Sequence, residues 1–289
     1  MKERRTNIGL AAIVGFGVVG TATAAALSRA GVRIAYVDPD KGFKDESPLT
    51  LPWVFVCVPT PYRADLPGSG CDLDTIVLVA ERLSAIVDEA LERERLQGGQ
   101  RARTAIVIRS TVPPGTTDRM QKRYPGFDWV HWPEFLTEST AVRDGLYPRR
   151  VVVGYTDRSI EAAAALVDLG RGAPFVELVP AAEAEMVKYF SNAFYATAVS
   201  FANQLYELCE ARGIDYEVVR RCAEHDPMMA RYHLDVHHKG FRGYGGKCLP
   251  KDAKTLLAWA RLHNADLGVL RSADEYNDQL TAANRGRKL

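Results

Sequence analysis

NIGLAAIVGFGVVGTATAAALSRAGVRIAYVD, residues 7–38, reads as strand, glycine turn, helix and strand in immediate succession. NIGLAAIV is an apolar run of strand length, TATAAALSRAG is Ala-rich and ends with Gly31 where a helix C-cap glycine is expected, and VRIAYVD closes on an acid. Between strand and helix stands GFGVVG, Gly15 to Gly20, and Asp38 follows about 20 residues later. That is the dinucleotide fingerprint in the context it requires. Gly15, Gly17 and Gly20 permit the tight turn and, with Val18 and Val19, bring backbone N–H groups to a pyrophosphate at a helix N-terminus. Asp38 would accept hydrogen bonds from the adenosine ribose and repel a 2′-phosphate, which favours NAD over NADP. The plain alternative is a chance Gly-rich turn.

Outward from this unit the alternation continues to about Pro180. WVFVCVP, TAIVIRS, DWVHWP, RVVVGY and PFVELVP are further candidate strands, and DLDTIVLVAERLSAIVDEALERERL has helical periodicity. The pattern predicts an α/β fold with a parallel sheet and crossover helices over residues 1–180. LQGGQRAR reads as an exposed loop. After Pro180 strand signals stop, and AAEAEMVKYFSNAFYATAVSFANQLYELCEARG predicts a helix of some 30 residues, apolar on more than one face. Such a helix is usually buried between elements or between subunits, so residues 181–289 are expected to form a helical domain that dimerises. YEVVRRCAEH and DAKTLLAWARLH continue the helical signal around a Gly-rich segment.

Composition bounds the rest. The 289 residues are 47% hydrophobic and 25% charged, with 37 Lys+Arg against 36 Asp+Glu, which excludes disorder and collagen-like repetition. A formal net charge of +1 provides no overall field for nucleic acid or an anionic membrane. The longest apolar stretch, Leu10 to Leu27, is interrupted by glycines and too polar in its second half to span a bilayer, and Met1 to Thr6 has no following apolar region of a signal peptide. Cys57, Cys71, Cys209, Cys222 and Cys248 form no CxxC pair and no metal-ligand spacing. A reducing cytoplasm and no metal are expected.

GFRGYGGKCLPKDAKTL, Gly240 to Leu256, is the most informative segment for chemistry. Four glycines allow close backbone approach, and Cys248 stands where Leu249 and Pro250 start a helix, beside Lys247 and Lys251. A thiol at a positive helix end is a candidate nucleophile, and Asp252, one turn on, a candidate acid/base partner. The plain alternative is a small buried cysteine, the reading adopted for Cys57, Cys209 and Cys222. Lys188 and Asn192 share a face of the long helix, either for function or as a solvated edge. Glu134 and Glu138 in WPEFLTES follow a strand end, where open parallel sheets bind ligands; an exposed acidic first turn after Pro133 competes equally. STVPPGTT, Ser110 to Thr117, also follows a strand, although Ser and Thr there cap ordinary turns too.

Taken in order, GFGVVG, VCVPTP, STVPPGTT, PEFLTES with LYPRR, EMVKYFSNAFYA and GYGGKCLPKDAKTL closely resemble the UDP-glucose/GDP-mannose dehydrogenase family over almost the whole chain. The resemblance implies a Rossmann-type doubly wound sheet followed by an all-α dimerisation domain. It also implies NAD-dependent, four-electron oxidation of a primary alcohol to a carboxylate without release of the aldehyde. By resemblance, Cys248 is the nucleophile that forms a thiohemiacetal and then a thioester. Lys188 and Asn192 are the donors to developing oxyanions. Asp252 is the acid/base residue near that lysine, and Glu134 with Thr111 positions and activates water. Glu138, Thr60, Thr111 and the Gly15 to Gly20 loop match cofactor contacts. Phe135, Leu136 and Tyr244, with Lys188 and Asn192, fall where substrate is lined. Arg231 approximately matches an arginine that reaches a neighbouring subunit's substrate, one residue out of register.

Two departures bear on these expectations. The span from Asp38 to Trp53 is much shorter than in the family, which trims an element at the sheet edge and opens the adenosine pocket. The family continues after the helix begun by SADEYNDQLTAANRGRKL into a second nucleotide-binding domain, so this chain reads as a truncated family member. The leading expectation is an NAD-dependent oxidoreductase acting on a sugar, nucleotide-sugar or nucleoside-type metabolite. A two-electron alcohol dehydrogenase that stops at the aldehyde, and a non-catalytic NAD-binding or dimerisation module, are the alternatives.

Overall fold

The computed structural model describes residues 8–96, 103–170, 172–226, 229, 233–237 and 240–284. The chain divides into two compact units: Met1–Thr60 with Asp72–Lys188, and Pro61–Cys71 with Tyr189–Leu289. The division falls inside the long helix and returns a short segment after Thr60 to the second unit. Residues 97–102, most of the loop expected at LQGGQRAR, lie outside the described residues, as does Arg231.

The first unit is built on seven strands: β1 (Leu10–Val14), β2 (Arg33–Val37), β3 (Trp53–Val56), β4 (Ala105–Ile108), β5 (Asp128–His131), β6 (Arg150–Tyr155) and β7 (Phe175–Pro180). They lie in the order β2-β1-β3-β4-β5-β6-β7. All seven strand signals therefore became strands. The near-continuous apolar runs of β1, β3, β4, β5 and β6 reflect burial on both faces. Ala12, Val14, Val54, Val56, Ile106, Ile108 and Trp129 enter one core, while Ala11, Ile13, Phe55, Val107, Val130, Val151 and Val153 enter the other. This is the period-two alternation of a pleated strand read off both sides of one sheet.

One expectation fails. The sheet is not wholly parallel, because β6 runs antiparallel to β5 while every other pair is parallel. The β5–β6 connection carries a 3-10 turn at Glu138–Thr140 and the helix α4 (Ala141–Leu146). Antiparallel pairing needs no crossover, and β6 enters the sheet from the end where β5 stops. The helices α1 (Val18–Arg29), α2 (Asp74–Leu96), α3 (Thr116–Arg123) and α5 (Ile160–Leu169) fill the other connections except that between β2 and β3. Between Asp38 and Trp53 there are only two short 3-10 turns, Pro39–Lys41 and Ser47–Thr50, so β2 forms the sheet edge.

The direction of winding reverses between β1 and β3, since β1 leads to β2 on one side and β3 lies on the other. In open α/β sheets ligands bind at the carboxyl ends of strands at such a switch point, and GFGVVG occupies that place. α4 packs on α1 closely enough that a Cβ on Gly145 would lie 2.9 Å from the Ala22 carbonyl oxygen. Arg29 reinforces the contact by donating to the Leu146 carbonyl at 2.8 Å and stacking over Tyr147. That packing places the segment after β5 beside the phosphate loop.

The long helix α6 (Ala181–Ala211) has 31 residues, as its apolar spread predicts. The second unit adds α7 (Tyr216–Ala223), α8 (Leu249–Leu262) and α9 (Gly268–Asn284). Asp215 caps α7 by accepting from Glu217 and Val218 N–H, and Ser200 of α6 donates to the Ala273 carbonyl of α9 at 2.8 Å. Among the described residues no helix is long and apolar enough to cross a membrane.

Candidate functional site

The phosphate loop shows why each glycine stands where it does. Gly15 has φ +88°, and a Cβ there would lie 2.6 Å from the Cys57 carbonyl oxygen. At Gly20 a Cβ would fall 2.0 Å from the Gly15 oxygen. These two fix the turn. Gly17 differs, because a Cβ there meets nothing within 4 Å in the chain. The space in front of Gly17 is thus open, as backbone approach by a pyrophosphate requires, and α1 begins there with no side chain capping its N–H groups. A cleft of about 620 Å³ opens beside it, lined by Phe16, Gly17, Val18, Thr21, Lys41, Glu138 and the residues that follow to Arg143. Glu138, expected as a cofactor contact, therefore shares this cleft with the loop.

Asp38 directly follows β2 and does something the sequence did not disclose. Its Oδ2 accepts from Phe16 N–H at 2.6 Å and its Oδ1 from Lys41 N–H at 3.2 Å, so it braces the phosphate loop. A carboxylate oxygen accepts more than one hydrogen bond, which keeps ribose recognition compatible with this role. Thr60, 5% exposed, donates its hydroxyl to the Thr111 carbonyl at 2.7 Å and ties together the loops after β3 and β4.

Glu134 and Lys188 form a buried ion pair, Nζ to Oε1 2.8 Å. Burial pushes the Glu134 carboxyl up, but the Lys188 ammonium, the Leu136 N–H at 2.7 Å and the Arg109 guanidinium more than offset it and hold Glu134 below the ordinary value. Glu134 is therefore a carboxylate, as a general base must be. The buried Arg109 also donates to the Trp132 carbonyl at 2.6 Å and stacks on its ring, fixing the turn that carries Glu134. The Phe135 ring lies under the Arg150 guanidinium at 3.8 Å and near Lys188.

Sequence reasoning passed over Glu185. This wholly buried carboxylate on α6 accepts from Gly115 N–H at 2.5 Å and from the N–H and hydroxyl of Thr117 at 2.8 and 2.6 Å. It thereby fastens the STVPPGTT segment, which includes Thr111, to the helix that carries Lys188. Burial raises its carboxyl to about 7. Its position three residues before Lys188, among apolar neighbours, was the available signal.

In the second unit, Cys248 is exposed and is the N-cap residue of α8, with Pro250 in the first turn. Asp252 is 1% exposed; it accepts from Asn192 Nδ2 and from Lys251 Nζ, both at 2.5 Å. The acid expected one turn after the cysteine is thus held by the amide expected to act with Lys188. Tyr244, expected to line substrate, turns its side chain inward: it is 3% exposed and donates its hydroxyl to Asp274 at 2.7 Å. Among the described residues no group of three or more His, Cys, Asp or Glu side chains is placed to hold a metal.

A doubly wound sheet with a braced glycine loop at its switch point defines a dinucleotide-binding protein, and the second unit adds an exposed cysteine at a helix start. Comparison with known proteins specifies the class. Residues 43–168 match the NAD binding domain of the UDP-glucose/GDP-mannose dehydrogenase family, and residues 182–279 match that family's central domain. UDP-glucose 6-dehydrogenase AglM of Haloferax volcanii is 30% identical, over 92% of this chain and 69% of its own length. A UDP-glucose 6-dehydrogenase of Pseudomonas aeruginosa is 34% identical, over 78% of this chain and 48% of its own. The structure of a UDP-glucose dehydrogenase from Pyrobaculum islandicum superposes with a TM-score of 0.78 at 26% identity, covering 96% of this chain and 70% of that one. This chain belongs to the UDP-glucose/GDP-mannose dehydrogenase family. It spans about half the length of several of these curated relatives, that of Pseudomonas aeruginosa among them.

Proposed function

We propose that the chain is an NAD-dependent dehydrogenase that oxidises a primary alcohol of a sugar, nucleotide-sugar or nucleoside-type substrate to the carboxylate through Cys248. The observation that carries this is the exposed Cys248 at the start of α8, one turn before a buried Asp252 held by Asn192 and Lys251. The Gly15 to Gly20 loop would hold NAD, and two NAD molecules bound in turn would supply the hydride acceptor for the two oxidations. In the first, the alcohol loses a hydride and a proton and becomes the aldehyde, while Lys188 and Asn192 donate to the oxygen as it gains charge. The Cys248 thiolate then adds to the carbonyl carbon, forming the C–S bond of a thiohemiacetal. Loss of the second hydride from that carbon gives the thioester. Glu134 takes a proton from water, which attacks the thioester; the C–S bond breaks, the acid leaves and the thiol is restored. Asp252 holds and passes the protons exchanged near the thiol.

Cys248→Ala decides the matter. The variant is expected to form no acid from the alcohol while NAD binding persists, followed by absorbance of the reduced cofactor and by product analysis across a panel of nucleotide sugars and nucleosides. Full conversion to acid by the variant would exclude the thioester route. Homodimerisation through α6 belongs to the same proposal. Phe190, Phe194, Phe201, Leu205 and Leu208 are 37–70% exposed, and their spacing puts them within about 60° of one another around a 3.6-residue helix. A second copy of this stripe would cover them. A reducing cytoplasm would keep the Cys248 thiol available.

A further inference from the structure

Between Arg242 and Cys248 the chain has no regular structure of its own, yet it is anchored twice. Arg242 donates to the side-chain oxygen of Asn203 at 3.1 Å and to Glu207 at 2.9 Å, and stacks on Tyr206. The second anchor comes from α9. Asn277 accepts from Tyr244 N–H at 2.7 Å and donates to the Tyr244 carbonyl at 3.1 Å, so one side-chain amide satisfies both polar groups of a buried residue's backbone. Asp274, one turn before, accepts the Tyr244 hydroxyl with one oxygen and Lys254 Nζ with the other, the latter at 2.8 Å. Lys254 lies on α8, the helix that Cys248 caps. Neighbouring Gly243 has φ +90°, and a Cβ there would lie 2.6 Å from Asn277 Oδ1, so the grip also explains this glycine.

We propose that Asn277 and Asp274 are positioning residues for Cys248: α9 holds the loop before the cysteine through Tyr244 and the helix after it through Lys254. Three residues, Gly245, Gly246 and Lys247, lie between Tyr244 and Cys248, a Cα–Cα reach of at most about 14 Å, and the two glycines have little stiffness of their own. The placement of the thiol at the α8 N-terminus is therefore set from α9. This rests on Cys248 being the nucleophile, but its test needs neither substrate nor turnover.

The test is the rate at which iodoacetamide alkylates Cys248 in the whole protein, followed by mass spectrometry, with Cys222 of α7, which is exposed rather than buried as expected from the sequence, as internal reference. In Asn277→Ala the Cys248 rate is expected to fall about tenfold as the thiol leaves the helix end, with the Cys222 rate unchanged. Asp274→Ala is expected to do the same, and Asp274→Asn, which keeps an acceptor for the Tyr244 hydroxyl, to restore the rate. If Asn277→Ala does not fold, the two Asp274 variants decide by the same comparison. A Cys248 rate within about twofold of the native value in the alanine variants would overturn the proposal. So would a joint rise of both cysteines, the mark of general loosening, or an Asp274→Asn variant as slow as Asp274→Ala. Acid formation by Cys248→Ala would sink the catalytic reading, whereas these rates sink only the positioning.

Discussion

Replacing Gly17 or Gly20 by alanine adds the same methyl group three residues apart in one loop, and the structure assigns the two changes opposite consequences. At Gly20 the new Cβ would lie 2.0 Å from the Gly15 oxygen and 3.1 Å from its carbonyl carbon. Those are backbone atoms with no rotamer to yield, so the loop itself must move by more than 1 Å. Forced overpacking costs about 1–3 kcal/mol and sometimes more. A loss of about 3 kcal/mol lowers Tm by roughly 6–12 °C in a domain of about 150–250 residues. At Gly17 nothing of the chain lies within 4 Å, and φ −86°, ψ −158° is extended backbone open to alanine. Stability should change by no more than about 0.5 kcal/mol. The methyl would instead occupy the space of the approaching pyrophosphate. Losing one charge-assisted N–H contact is worth about 1.5–3 kcal/mol, which weakens NAD binding roughly 10- to 100-fold. Thermal melts without ligand and calorimetric titration with NAD measure the two effects separately. Gly17→Ala binding NAD within about threefold of the native protein, or Gly20→Ala melting with it, would refute the assignment of roles.

Three further outcomes follow from the same geometry. Lys188→Met should cost about 3–5 kcal/mol in chemical denaturation because it leaves Glu134 buried without its partner, and Lys188→Met/Glu134→Leu should cost less than the single change; additive losses would show the pair uncoupled. Glu185 is raised from 4.5 to about 7, so between those values the native protein keeps a proton that the unfolded chain has released. Stability should therefore fall as pH rises through that window, by up to roughly 3 kcal/mol, and the fall should vanish in Glu185→Gln. Glu134 acts in the opposite sense: held below 4.5, it contributes stability above that pH which is lost on acidification. Unfolding free energies measured from pH 4 to 8 would expose an unchanged slope in Glu185→Gln as a failure. Finally, Phe194→Asp/Phe201→Asp should sediment as a monomer, and a persisting dimer would place the interface elsewhere.

Local pattern determined much of this protein. Seven apolar runs became seven strands, GFGVVG became the turn at the switch point, and the apolar spread after Pro180 became a 31-residue helix. Each of these signals has a period of a few residues, because pleat, helical turn and glycine loop are short-range geometries. Tertiary structure decided the rest. The sheet was expected to be parallel, yet β6 runs antiparallel to β5, because an apolar strand run carries no mark of the direction in which the strand will pair. Lys188 and Asn192, neighbours on α6, take partners 54 and 60 residues distant, Glu134 and Asp252. The hydroxyl of Tyr244 turns to Asp274, and Glu185 reaches back 68 residues to Thr117. Motif order located these side chains in the sequence, but a charged or polar group leaving water takes the partner that packing brings within hydrogen-bond reach, and strand order and helix packing set that partner over spans that local periodicity does not encode.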